Sequence, residues 1–282
     1  MKILIGIMAL LLSATSAFAQ AGQIARTEVQ FLGHAAFEIT TPKGAVLIID
    51  PWLSNPMNPA AQNGKDPLAS IAKCDYILIT HGHFDHMAEA VALAKKTGAK
   101  LVTNFDLAAN LVNFSGFPEK QAGMETNGNI GGAIMLANGE VTVHFVPAVH
   151  SSGLDVKTAN GKSETVYGGN PVGFVLEIKD GPKIYDTGDT AYFDDMKLIG
   201  DAYAPDLALI NIGGHFGMEP EMAAKAAVAV KAKLVVPHHY KTFPLLTQSA
   251  EQFFLLLDRH HIAHRELSPG ATLVFEGKKP LK

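Results

Sequence analysis

Hydrophobic positions along this chain fall in short runs, most of which stop at a glycine, a proline or a carboxylate. Three such runs, Thr27 to Leu32, Ala36 to Thr40 and Ala45 to Ile49, are divided by Gly33-His34 and Pro42-Lys43-Gly44 and predict a meander of strands. Tyr76 to Thr80 and Lys100 to Thr103 read as further strands on either side of a helical segment, Met87 to Thr97, that stops at Gly98. Asp106 is the expected N-cap of a helix from Leu107 to Phe114, which Gly116 ends. Gly132 to Leu136 and Val141 to Val146 predict a hairpin around Asn138-Gly139, and Val172 to Lys179 and Lys183 to Tyr185 another pair of strands around Asp180-Gly181-Pro182. Buried strands Leu207 to Ile212 and Leu234 to Val236 flank an alanine-rich helix, Pro220 to Lys231, with proline in its first turn. A helix from Ser249 to about His261 and a strand from Ala271 to Phe275 close the chain. Leu53 to Ser70 and Ser151 to Asn170 carry neither period and read as loops, the second as the wall or lid of a pocket.

Metal-binding side chains collect at the ends of these strands. Tyr76 to Thr80 runs directly into His81-Gly82-His83-Phe84-Asp85-His86. His81 and His83 alternate, so both can point the same way from extended backbone, while Asp85 and His86 fall on the turn into the next helix and can face a second ion. His150 lies just beyond the strand that ends at Val146, and Asp186 and Asp189 just beyond the one that ends at Tyr185. Asp189 can bridge two ions with its two oxygens, with Asp186 behind it. One of the pair His238-His239 can complete the second set. Asp50 either caps the third strand or orients the metal loop from behind. His144 reads as a sheet residue, and His260, His261 and His264 as a solvated cluster near a helix end.

Composition narrows the setting. Met1 to Ala19 reads as a signal peptide, with Lys2 at its start, Ile3 to Leu12 as its apolar stretch and Ala17-Phe18-Ala19 as the cleavage site. The expected product is a single domain, residues 20–282, exported to the periplasm or secreted, and no later apolar run is long enough to span a membrane. The formal net charge of −4, from 23 basic and 27 acidic residues, argues against nucleic acid as a partner. The single cysteine, Cys74, excludes an internal disulfide and reads as a small buried residue.

These residues, in this order, resemble the metallo-β-lactamase superfamily over nearly the whole mature chain. Leu32-Gly33-His34, Ile48-Ile49-Asp50-Pro51, Gly188-Asp189-Thr190 followed by Asp195-Met196-Lys197-Leu198-Ile199-Gly200, and Pro237-His238-His239-Tyr240 followed by Phe243-Pro244 look like one subgroup. That subgroup is the metal-dependent hydrolases related to the ascorbate-phosphate lactonases. The resemblance and the element order together imply an α/β fold, a four-layer αββα sandwich. The resemblance also implies that His81, His83 and His150 hold one ion and that Asp85, His86 and His239 hold the other, with Asp189 bridging and Asp50 as structural support. His238 is a departure from the subgroup, which usually has an apolar residue there; His34 and His215 are expected to line the pocket without ligating.

A His/Asp set suits two divalent ions, Zn²⁺ by default, with Mn²⁺ or Fe²⁺ as alternatives. The implied reaction is hydrolysis of a small-molecule lactone, ester or phosphodiester by a metal-bridging hydroxide, with Asp85 as proton acceptor and His215 as proton donor to the leaving group. Two other readings compete: a metal-dependent binding protein without turnover, and a zinc β-lactamase. The absence of a cysteine after the first motif disfavours the latter.

Overall fold

The computed structural model describes residues 25–158 and 160–281, so the expected leader, Met1 to Ala19, lies outside the described residues. Strands β1 (Arg26–Gly33), β2 (Ala36–Thr40) and β3 (Val46–Ile49) form the predicted antiparallel meander. Next to β3, β4 (Tyr76–Leu78) and β5 (Lys100–Val102) add in parallel, joined to each other by α1 (Phe84–Met87) and α2 (Ala90–Thr97); α3 (Phe105–Asn110) follows. The second half contributes β6 (Ala133–Leu136), β7 (Val141–Pro147), β8 (Gly153–Lys157), β9 (Ser163–Tyr167), β10 (Val172–Ile178) and β11 (Lys183–Asp186). It continues through α4 (Met196–Tyr203), β12 (Leu207–Asn211), α5 (Pro220–Ala229), β13 (Leu234–His238), α6 (Glu251–Arg259) and β14 (Ala263–His264). Finally β15 (Thr272–Glu276) and β16 (Lys279–Pro280) return to the edge of β1. One sheet therefore has the order β16-β15-β1-β2-β3-β4-β5 and the other β14-β13-β12-β11-β10-β7-β6, with β8 and β9 as a separate ribbon.

Alternation along the strands builds the layers. In β3, Leu47 and Ile49 point into a core between the sheets with Phe31, Phe145 and Phe174, while Val46 and Ile48 point outward against Leu93 of α2 and Leu107 of α3. In β12, Leu207 and Leu209 join the central core, and Ala208 and Ile210 pack with Ala223 of α5 and Phe253 of α6. Both faces of each sheet are thus covered, which is the four-layer αββα sandwich. Fully burying one such side chain is worth roughly 1.5–3 kcal/mol, so the alternation holds each strand in register against a slip.

Several elements differ from the pattern-based reading. The predicted helix from Met87 begins earlier and breaks at Glu89, whose N–H donates to Pro51 O (3.0 Å) and whose carboxylate accepts from Leu53 N–H (2.6 Å). Asn104, not Asp106, caps α3: its side-chain oxygen accepts from Leu107 N–H at 2.8 Å. Leu53 to Ser70 contains two 3₁₀ turns, capped by Asn58 and Asp66. The polar stretch after His150 is no loop but the β8–β9 ribbon, with Leu154 and Val156 turned inward. No helix was expected at α4, where Met196 and Ile199 dock on the outer core.

Parallel pairing gathers the chemistry. β3 and β4 pair Ile49 with Leu78, so Asp50 and the His81 loop leave at one edge. β11, β12 and β13 are likewise parallel, with Asp186 opposite Leu209 and Asn211 opposite His238. Residues just past the carboxyl ends of parallel strands share one rim of the sheet, the usual place for a site in such folds.

Candidate metal centre

Asp50 organises the first loop. Its Oδ1 accepts from Thr80 N–H (2.8 Å) and its Oδ2 from the Thr80 hydroxyl (2.7 Å). With that proton committed, Thr80 Oγ1 accepts from His81 Nδ1–H at 2.9 Å, leaving His81 Nε2 free to face the cluster. Asp50 Oδ2 also accepts from His86 Nδ1–H at 2.7 Å, which frees His86 Nε2 in the same way. Asp50 therefore both ends the strand and orients the metal loop. Its backbone lies in the left-handed region (φ 43°), a conformation that its three hydrogen bonds hold in place.

Two groups of donors face each other. His81 Nε2 and His83 Nδ1 lie 2.9 Å apart, and the His150 ring sits 5.1 Å, centre to centre, from both imidazoles. Asp85, His86 and His239 form the neighbouring group. Asp189 stands between the two: its Oδ2 is 3.0 Å from His239 Nε2, 3.3 Å from His86 Nε2, 3.5 Å from His150 Nε2 and 4.0 Å from His81 Nε2. Its Oδ1 accepts from Asn211 Nδ2–H at 2.6 Å. Asn211 thus holds Oδ1 while Oδ2 stands within 4.0 Å of nitrogens of both groups. Asn211 itself was read as an ordinary strand residue. Its polar side chain inside an apolar run was the available signal.

His34 is not a pocket-lining residue. It is fully buried at the tip of the β1–β2 turn, with φ 56°. Its Nε2 lies 3.1 Å from Asp85 Oδ2 and its Nδ1 2.7 Å from Thr242 Oγ1. A carboxylate only accepts, so the network assigns the proton to Nε2 and makes the Thr242 hydroxyl the donor to Nδ1. Its carbonyl also accepts from His239 N–H at 2.8 Å. One turn thus steadies two residues of the second group.

His238 and His239 point apart. His238 is in β13, buried edge-on to Phe37 (5.9 Å) with Nε2 3.7 Å from Asp186 Oδ1, whereas His239 enters the cluster. Asp186 accepts from Gly188 N–H (2.8 Å) and steadies the turn to Asp189. Burial, reinforced by Asp50, pushes its carboxyl up to about 8. His215 is a correction: a tight turn from Gly214 to Gly217 (N–H to O 2.9 Å) places Phe216 at the mouth of the cavity above the cluster, and His215 in a separate depression beside Glu219 and Glu221. A proton-donor role for His215 has no geometric support.

The electrostatics match a cation site. Burial and the neighbouring His86 hold His81 well below the ordinary histidine value. Burial opposes charge on Asp189, yet His239 and His86 hold it well below the usual carboxylate range. His239 rises to about 9 against its burial, because Asp189 and Asp85 stabilise its charged form. Protons on the second group would thus occupy the place of a cation. His86 Nε2 and His239 Nε2 are buried without an aligned hydrogen-bond partner, although Asp189 Oδ2 is close to each. Leaving such atoms unpaired costs about 1–3 kcal/mol each, and a divalent ion would satisfy them. The residues present therefore fit metal ions.

Comparison with known proteins agrees. The profile of the β-lactamase superfamily domain matches residues 46–240. A UPF0173 metal-dependent hydrolase of Thermodesulfovibrio yellowstonii is 49% identical over 227 residues, 80% of this chain and 83% of that protein. One from Anaeromyxobacter dehalogenans is 50% identical over 252 residues, covering 89% and 87%. Among solved structures, Igni18, a novel metallo hydrolase from the hyperthermophilic archaeon Ignicoccus hospitalis, aligns with TM-score 0.74 at 32% identity over 89% of this chain and 99% of that one. Fold, donor set and sequence converge: the chain belongs to the β-lactamase superfamily and, within it, to the UPF0173 metal-dependent hydrolases.

Proposed function

We propose that this metal-dependent hydrolase works through a dinuclear centre in which His81, His83 and His150 hold one ion and Asp85, His86 and His239 the other. Asp189 Oδ2 lies between the two sets of donors, and its approach within 3.0–4.0 Å of four of their nitrogens is the observation that carries the reading. When bound, two Zn²⁺ ions, or Mn²⁺ or Fe²⁺, supply a water acidic enough to attack at neutral pH and polarise the substrate oxygen. The chain's own groups do the rest. Asp85 lines the cavity, and although burial would raise its pKa, the neighbouring His239 (Nε2 3.7 Å from Oδ2) and the hydrogen bond from His34 keep it ionised, as a proton acceptor must be. Asp50, Thr80 and Asn211 hold the donors in place, so little reorganisation accompanies the reaction.

The substrate class is a small-molecule ester, lactone or phosphodiester, in keeping with the resemblance to the ascorbate-phosphate lactonases. Cys74 is buried in the outer core with Ile71 and Ile77, away from the donors, which disfavours a β-lactamase of the cysteine-ligand type. The pattern of Met1 to Ala19 supports export to the periplasm or beyond, and no helix among the described residues is long and apolar enough to cross a membrane. The test is elemental analysis of the purified protein, followed by turnover of lactones, aryl esters and bis-aryl phosphates with and without chelator. Two metal equivalents and chelator-sensitive hydrolysis are expected. Bound metal with no turnover of any class would favour a binding protein instead.

A further inference from the structure

The cavity above the donors holds about 670 Å³, within the roughly 300–1,000 Å³ of ordinary small-molecule sites. Its walls are uneven. They include Phe84 from α1, Phe216 from the turn after β12, and Phe243 and Leu245 from the segment after β13. The β8–β9 ribbon adds Asp155, whose Oδ1 accepts from the Thr165 hydroxyl at 2.7 Å. None of the fourteen lining residues is lysine or arginine, and beyond the donor set the one ionisable group is that acid. Phe84, Phe216 and Leu245 are 58%, 50% and 64% exposed. Single exposed apolar side chains are ordinary, but several around one mouth mark a surface that binds.

An anion carried on the far end of a substrate would find no cation there, would face Asp155, and would lose its hydration against phenyl rings. We propose that this cavity selects substrates whose non-reacting arm is apolar and uncharged, such as an alkyl or aryl ester or lactone, and rejects those with a distal carboxylate or phosphate. The proposal rests on the hydrolase reading above and narrows it. It also argues against a sugar-phosphate lactone as the substrate, since no lysine or arginine lines the cavity to pair with the phosphate.

The molecule carries its own reporter. Trp52 is the only tryptophan; it stacks on Phe243 (5.4 Å between ring centres, 16° between planes) and meets Phe84 edge-on at 5.7 Å. Its emission is therefore expected to follow occupancy of the cavity, through Phe243 and Phe84, without turnover. Metal-loaded protein is titrated with octanohydroxamic acid and with the monohydroxamate of suberic acid, which share a metal-binding head and differ in the charge at the end of the arm. The neutral arm is expected to bind about 30-fold more tightly. Leu245→Lys, a change at an exposed position, is expected to shrink that ratio about tenfold. Phe216→Ser is expected to weaken octanohydroxamic acid about fivefold and to leave acetohydroxamic acid, which has almost no arm, unchanged. Equal binding of the two arms, or tighter binding of the charged one, overturns the proposal. If neither hydroxamate binds, the metal reading fails and the proposal falls with it. If the ratio holds but no ester or lactone is turned over, the selectivity stands and the hydrolase reading is what fails.

Discussion

At the floor of the cavity Asp189 is 2% exposed and each of its oxygens has assigned neighbours, whereas at the mouth Leu245 is 64% exposed and has no polar function at all. Four donors of the floor are held from behind: Thr80 and Asp50 hold His81 and His86, His34 holds Asp85, and Asn211 holds Asp189. The mouth is carried by the first residue of α1 and by segments between elements, with Phe84 and Phe216 half exposed. A buried floor keeps the reacting geometry constant, because moving His81, His86, Asp85 or Asp189 breaks a hydrogen bond in low dielectric. An exposed mouth tolerates change, so selectivity can be altered there without disturbing the chemistry.

Changes at the two places should therefore differ by orders of magnitude. Asp189→Asn, nearly the same shape, is expected to cut metal-dependent turnover at least about a thousandfold, beyond the roughly 10–100-fold carried by supporting residues, and to lower bound metal on elemental analysis. Retention of both metal and activity would break the contrast outright. Asp50→Asn keeps an acceptor for Thr80 but loses the charge against His86; metal affinity should fall about 10–100-fold and the melting temperature with it, read by chelator competition and calorimetry. His34→Asn tolerates the left-handed backbone but is too short to reach Asp85. It should lower kcat/KM about tenfold and weaken the second ion more than the first. Phe216→Ser should change unfolding free energy by no more than about 0.5 kcal/mol, measured in urea; a large loss would mean that the mouth is part of the fold after all. The smallest effect is expected at Cys74. Burial pushes its thiol up to about 12, so at pH 8 almost none is thiolate, and iodoacetamide should leave both the thiol and the activity intact until the protein is unfolded.

The contrast also explains what could be read before folding. Strand runs such as Ala45 to Ile49 and Leu207 to Ile212 were legible because apolar residues covered on both sides leave a dense local signal. His81 to His86 was legible for a similar reason: alternation and a turn place four donors within six residues. The β8–β9 ribbon was not, since its inward residues, Leu154 and Val156, sit among polar neighbours and gain their burial from the outer core of the first sheet. His215 was misplaced because two adjacent residues of one tight turn, 215 and 216, face different cavities, a choice made by the turn and not by the residue type.

By itself the sequence determined most strands and helices, the strand-end positions of the donors and their suitability for a divalent ion, because periodicity, turn residues and ligand chemistry all act within a few positions of the chain; the layers followed from the element order together with the family resemblance. Only the tertiary structure decided which oxygen of Asp189 approaches both groups, that His34 holds Asp85, that His239 and not His238 enters the cluster, and that phenyl rings and no lysine or arginine line the cavity. Those outcomes depend on contacts between residues far apart along the chain, such as Asp85 with His34 and Phe84 with Phe243, and their distances exist only once the two sheets have packed.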